Sequence, residues 1–268
     1  MNRYLRGAMA ILFIWTAWAM PLAGQAGPKD ITILYDNRPS DPACATDWGF
    51  SCLIRGFEKT ILFDVGQKGD VLLKNAAALK VDLKAVDVLV LSHLHGDHTN
   101  AIGAFLNLKP HIQIYLPDDP RPDPMTYLFK DRLQKSVASV VAVAGPKEIL
   151  PHVFLTGTMG SSTKEQSLVL DTDNGLVIVT GCAHQGVVNV VERARSMSKK
   201  EIILLLGGFH LLNSSEAAVK NIIDSFKEYG IRRIGATHCT GDKAIQLIKD
   251  AYKENFIEIG AGKTIVLP

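Results

Sequence analysis

Within one six-residue run, His93-Leu94-His95-Gly96-Asp97-His98, the chain sets three imidazoles and a carboxylate directly after an apolar stretch, Val86 to Leu91. Alternate residues of an extended segment share a face, so His93 and His95 point one way and Leu94 turns back toward a core. Gly96 frees the backbone to turn, after which Asp97 and His98 face the same space. Neutral imidazole with carboxylate is a donor set for zinc or another first-row divalent ion, and four such donors serve one ion or two. The chemistry this suggests is hydrolysis. A bound divalent ion lowers the pKa of water from about 16 toward 7, and charge developing on a substrate oxygen is stabilised by a second ion or an adjacent His.

Three further histidines close apolar, strand-like runs: His184 in Gly181-Cys182-Ala183-His184, His210 in Gly207-Gly208-Phe209-His210, and His238 in Thr237-His238-Cys239-Thr240-Gly241. The glycines before His210 let the backbone approach a ligand closely, giving it a substrate or proton-transfer role, with a structural role as the alternative. Asp97 is expected to orient the attacking hydroxide as well as bind metal, and His210 or His184 to protonate the leaving group. Asp64, at the end of Thr60 to Phe63, reads as the partner that orients a ligand His or Asp97, or else as a loop closure. Asp36 and Asn37 belong to the same rim. Trp48 and Phe50 line an apolar rim or fill the core. Thr240-Gly241 before Asp242 offers backbone N–H groups to an anion, as any helix start does. His111 and His152 follow prolines and read as surface residues.

The run His93 to His98 resembles the metal motif of the metallo-β-lactamase superfamily, His-x-His-x-Asp-His. That resemblance implies an α/β fold, the four-layer αββα sandwich, with His93, His95 and His184 on one ion and Asp97, His98 and His238 on the other. Gly181 to Gly186, Gly207 to His210 and Thr237 to Gly241, with Asp36-Asn37 and Phe63-Asp64-Val65-Gly66, are similar to one branch. It is the family around the archaeal 7,8-dihydropterin-6-methyl-4-(β-D-ribofuranosyl)-aminobenzene-5′-phosphate synthase, and the likeness spans essentially the whole mature chain. One feature departs from the superfamily pattern: no Gly-Asp bridging both metals occurs between His184 and His238. With the hairpin Ser167 to Thr180 taken as equivalent to the one before that Asp, the bridging position falls at Cys182. Cys182 is then a thiolate ligand, which zinc favours, or buried packing beside a single-metal site. Zinc is the expected cofactor, one or two ions, with manganese or iron as alternatives. An iron oxidoreductase of the same fold and a non-catalytic metal-binding module are the rival classes. β-Lactam hydrolysis ranks low, because the branch motifs differ.

These residues need strands to deliver them. Ile31-Tyr35, Ser51-Arg55, Thr60-Asp64, Ile112-Leu116, Val137-Val143, Val153-Leu155, Ser167-Asp171, Leu176-Thr180, Ile202-Leu206, Arg232-Ala236 and Thr264-Leu267 read as extended. Helical spacing covers Gly69 to Lys80, Ala101 to Leu106 with Thr99-Asn100 as caps, Met125 to Lys135, Val187 to Met197, Ser214 to Tyr229 and Asp242 to Lys253. A proline-rich loop is expected from Pro117 to Pro124. Two packed sheets with helices on both outer faces accommodate this order.

Arg3 and Arg6 precede an apolar stretch, Ala8 to Met20, then small residues around Gly24-Gln25-Ala26, the pattern of a secretory signal peptide over residues 1–26, with an uncleaved anchor as the alternative. Residues 27–268 then form one domain in a periplasmic or secreted protein, without stable membrane insertion after signal removal. With Arg3 and Arg6 removed, the 29 basic residues no longer outnumber the 27 acidic ones. Balanced charge argues against nucleic acid as a partner and for a small-molecule substrate. In an oxidising compartment Cys44 and Cys52 suit a small disulfide loop, while Cys182 and Cys239 are site thiols or a bridge.

Overall fold

A computed structural model describes residues 28–119 and 139–268. Alternation along its strands sorts the apolar side chains into three contact layers, and those layers define the architecture. In chain order the strands are β1 (Asp30–Tyr35), β2 (Ser51–Arg55), β3 (Ile61–Phe63), β4 (Val88–Val90), β5 (Gln113–Pro117), β6 (Ser139–Val143) and β7 (Lys147–Leu150). They continue with β8 (Val153–Leu155), β9 (Leu168–Thr172), β10 (Gly175–Thr180), β11 (Ile202–Gly208), β12 (Ile234–Thr237) and β13 (Thr264–Val266). One sheet runs β13-β1-β2-β3-β4-β5-β6 and the other β12-β11-β10-β9-β8-β7.

Val88 and Val90 of β4 face inward with Ile31, Ile33, Ile54 and Phe63, meeting Leu168, Leu170, Val177, Val179 and Leu206 of the second sheet. The intervening Leu89 points outward to Leu72 and Phe105, on α1 (Gly69–Ala78) and α3 (Ile102–Leu108). Outward residues of the second sheet, Leu176, Ile178 and Leu205, pack on Val190, Val191, Val219, Phe226, Ile245 and Ile248. These belong to α4 (Val187–Met197), α5 (Glu216–Glu228) and α6 (Asp242–Tyr252). The result is the αββα sandwich that the motifs imply. β3 and β4 are parallel, as are β10, β11 and β12, so each group delivers its C-terminal ends to one edge. Residues that follow parallel strands therefore converge there.

Several elements differ from the sequence reading. β7 was not anticipated, because its residues are largely exposed and lack an alternating apolar face. Thr99 and Asn100 do not cap α3; they close a one-turn helix, α2 (Gly96–Thr99), in which the Thr99 hydroxyl donates to the His95 carbonyl at 2.8 Å. The expected Cys44–Cys52 bridge is corrected: the four cysteines are free thiols. Strand alternation turns Cys52 between the sheets, whereas Cys44 lies by Gly262. The signal segment 1–26, the helix Met125 to Lys135 and most of the proline-rich loop lie outside the described residues. Among the described residues no helix is long and apolar enough to cross a membrane.

Candidate metal centre

His93 follows β4, His95 to His98 turn into α2, and His184, His210 and His238 follow β10, β11 and β12. Ligand-type atoms of His93, His95 and His184 lie within 4.8 Å of one another, and so do those of Asp97, His98 and His238. A third set, His93, His98 and Cys182, joins the two. His93 Nε2 is 3.1 Å from His95 Nδ1, Cys182 Sγ is 3.2 Å from His98 Nε2, and Asp97 Oδ2 is 3.3 Å from His238 Nε2. The structure thus brings together the seven residues expected as ligands, with His210 stacked 4.1 Å from the His184 ring.

The outer nitrogens of these rings are already committed. Asp64 is fully buried; its Oδ2 accepts from His98 Nδ1 at 2.7 Å and from the Ser92 hydroxyl at 2.7 Å. Because Ser92 spends its proton on Asp64, its oxygen accepts from His93 Nδ1 at 2.9 Å. One carboxylate therefore orients two histidines, His98 directly and His93 through Ser92, turning both Nε2 atoms inward. Asn37 Oδ1 does the same for His238, 3.1 Å from its Nδ1. Asp36 accepts from the Thr237 hydroxyl and holds the neighbouring strand end. A side chain at Gly181 would meet Ser92 Oγ at 2.1 Å and Asp64 Oδ2 at 3.2 Å, which is why glycine precedes Cys182.

Sequence reasoning missed Glu165. In the loop between β8 and β9 its Oε1 accepts from the N–H groups of Cys182 and Ala183, and Oε2 from that of His184, each at 2.8 Å. Burial pushes its carboxyl up to about 6, and these three N–H groups oppose the rise. They are free to bond a carboxylate because the chain leaves β10 in a left-handed turn, with φ of 59° at Ala183. Asp64, His210 and His238 share that conformation, at 57°, 52° and 51°. Such strain persists only where surrounding contacts over-determine it, and four of the seven non-glycine cases among the described residues lie in or beside the donor cluster, the others being Lys80, His152 and Lys253.

Charge follows the same geometry. Burial, then the neighbouring imidazoles, holds His93 well below its ordinary pKa and brings His184 down to about 3, leaving both rings neutral with lone pairs free. Burial also opposes a proton on His98, but the Asp64 carboxylate outweighs it and raises that ring to about 9. Asp97 stays far below the usual carboxylate range: burial works against it, and the His238 and His98 rings beside it prevail. Cys239, though buried, is held below the thiol range by hydrogen bonds to Cys182 and His210; that bond to Cys239 raises His210.

Other candidates fall elsewhere. Trp48 is 42 % exposed and sits 4.8 Å from the His238 ring, on the rim, whereas Phe50 is core. His111 and His152 are exposed, as expected. At the start of α6 Asp242 pairs with Arg38, and Thr240 Oγ1 accepts from Phe209 N at 3.0 Å.

Buried nitrogen lone pairs without donors are costly unless something positive sits among them. His184 Nε2 and His238 Nε2 are both buried without a hydrogen bond, and neutral imidazole with carboxylate and thiol is a donor set for a first-row divalent cation. The residues fit the metal that the motif implies.

Residues 49–220 match the family Metallo-beta-lactamase superfamily. Over 81% of this chain and 89% of the relative, it is 27% identical to the 7,8-dihydropterin-6-methyl-4-(beta-D-ribofuranosyl)-aminobenzene-5'-phosphate synthase of Methanocaldococcus jannaschii. An uncharacterized protein of that organism is 31% identical over 88% of this chain and 99% of its own. Among solved structures, Tm1679, a metal-dependent hydrolase of the beta-lactamase superfamily, superposes with a TM-score of 0.75 at 25% identity, covering 89% of this chain and 99% of that one. The chain belongs to the metallo-β-lactamase superfamily. With this fold and its histidine-rich centre, it is a metal-dependent hydrolase of that superfamily.

Proposed function

We propose that this hydrolase is exported and cleaves an ester, phosphoester or lactone in a small molecule, using one or two divalent cations, zinc first and manganese or iron as substitutes. The observation that carries the reading is the pair of donor triads, His93, His95 and His184 beside Asp97, His98 and His238, with their outer nitrogens held by Ser92, Asp64 and Asn37. The first triad would hold one cation and the second the other, with the Cys182 sulfur a further donor beside His98. When bound, such a cation supplies Lewis acidity and lowers the pKa of water toward about 7. Asp97, kept anionic, accepts a hydrogen bond from the attacking water and orients it. His210 faces the site from the solvent side and protonates the leaving oxygen. Trp48 closes one wall. Export rests on the apolar segment before residue 27, which supports a periplasmic or secreted location. The archaeal relative's name specifies a pterin-ribosyl phosphate; an exported enzyme meets other substrates, so the phosphoester linkage is kept and the pterin is not. Nucleic acid is not a partner in this reading.

Elemental analysis of the mature protein is expected to give about two zinc or manganese per chain. One iron with little zinc would overturn zinc as the first choice of cation and send the next assay to oxygen consumption. His95→Ala and Asp97→Asn are expected to lower hydrolysis of a nitrophenyl ester or phosphodiester by roughly a thousandfold with unchanged circular dichroism. Retained turnover would remove both from the mechanism.

The pH profile gives a separate check. A general acid must carry its proton, and His210 is shifted above the ordinary 6.5. Turnover is therefore expected to persist past neutrality and decline as pH rises through that raised pKa. His210→Ala is expected to lose about 10²- to 10⁴-fold in rate and this alkaline limb together. An unchanged limb in the variant would assign it to another group.

A further inference from the structure

Beyond the two histidine triads, Cys182, Cys239 and His210 bring two sulfurs and an imidazole nitrogen within 4.8 Å of one another. They arrive from three adjacent strands, β10, β12 and β11. Both thiols are buried, at 3% and 4% exposure, while His210 is open to solvent. Gly208, at the end of the middle strand, makes the approach possible: a Cβ there would lie 2.6 Å from Cys239 Sγ and 2.4 Å from the Gly181 carbonyl. The three loops are tied together independently of any ligand. Gly208 N donates to Gly181 O at 3.1 Å, Phe209 N to Thr240 Oγ1 at 3.0 Å, and Leu212 N to Cys239 O at 3.2 Å. Isolated buried cysteines behave as small hydrophobes. Two of them meeting at one point under an imidazole are instead a soft donor set, which selects zinc or cadmium over magnesium or calcium.

We propose that Cys182, Cys239 and His210 form a third cation site, thiophilic and distinct from the histidine triads, whose occupancy restrains the hydrolase. Restraint rests on the role given to His210 above: an imidazole whose lone pair is bound to a cation has no proton to deliver. Cys182 links the two centres, since its sulfur also lies 3.2 Å from His98 Nε2.

The test adds cadmium to the full mature chain already loaded with zinc, and follows the ultraviolet sulfur-to-cadmium charge-transfer band alongside turnover. Wild type is expected to develop the band as one further ion binds, with zinc content unchanged and turnover falling in parallel. Cys239→Ser is expected to lose about half the intensity, one of two sulfurs, and the surface variant His210→Ala to bind cadmium at least about tenfold more weakly. Absence of the band in wild type, or full intensity in Cys239→Ser, overturns the site. A saturating band weakened in both variants as expected, with turnover untouched, upholds the site but overturns the restraint and removes His210 from proton transfer.

Discussion

Asp64→Asn is expected to weaken metal binding by about 10- to 100-fold while the fold survives, and Asp64→Ala to lose stability as well. The reasoning lies in what one buried carboxylate carries. Its Oδ2 accepts from His98 Nδ1 and the Ser92 hydroxyl, and its Oδ1 from Ser92 N, each at 2.7 Å. An amide keeps the shape but has one accepting oxygen and turns an N–H toward a donor. Either His98 or Ser92, and through Ser92 His93, is then released to rotate. Alanine leaves all three donors buried and unpaired, which costs about 3–5 kcal/mol in sum. For a chain this long that is about 10 °C in melting midpoint. Chelator competition measures the first effect and a thermal melt the second. Wild-type affinity in Asp64→Asn would show that the ligand rings are held by packing alone.

Asp64 also shows why part of the site was legible in the chain. Short-range spacing exposes it: an acid at the end of one strand, and His-x-His-x-Asp-His at the end of the next, meet because β3 and β4 are parallel neighbours. His184, His210 and His238 were readable for the same reason, each ending a continuous apolar run. Layer architecture followed from those runs and from helical spacing, and α4 was read to the residue. What escaped had no local pattern. β7 is an exposed edge strand whose register comes from β8. Cys44 and Cys52 are close in sequence but face different environments, and sequence distance does not report that. The binding partner of Asp242 was invisible too, because Arg38 comes from the other end of the chain.

Glu165 is the strongest case of a residue that only the folded chain reveals, and its removal is expected to dismantle half of the centre. A lone acid after Thr163-Lys164 carries no motif; a hint was available in that Glu165-Gln166 precedes a strand without the punctuation of a turn. Folded, the pair staples the two sheets at the site. Glu165 binds the N–H groups of Cys182, Ala183 and His184, while Gln166 N donates to Ser92 O and Gln166 Nε2 to Leu91 O, both at 2.9 Å. Glu165→Ala leaves three buried N–H groups without acceptors, a loss of about 3 kcal/mol or more. His184 then leaves its left-handed approach, so metal on the His93, His95 and His184 triad is expected to weaken by roughly tenfold or more, with the Asp97, His98 and His238 triad less affected. Glu165→Gln retains one accepting oxygen and is expected to fall between the two. Stepwise metal titration with parallel melts separates these outcomes. If Glu165→Ala melts and loads as wild type does, the β10 turn is held from elsewhere and the carboxylate has no positioning role.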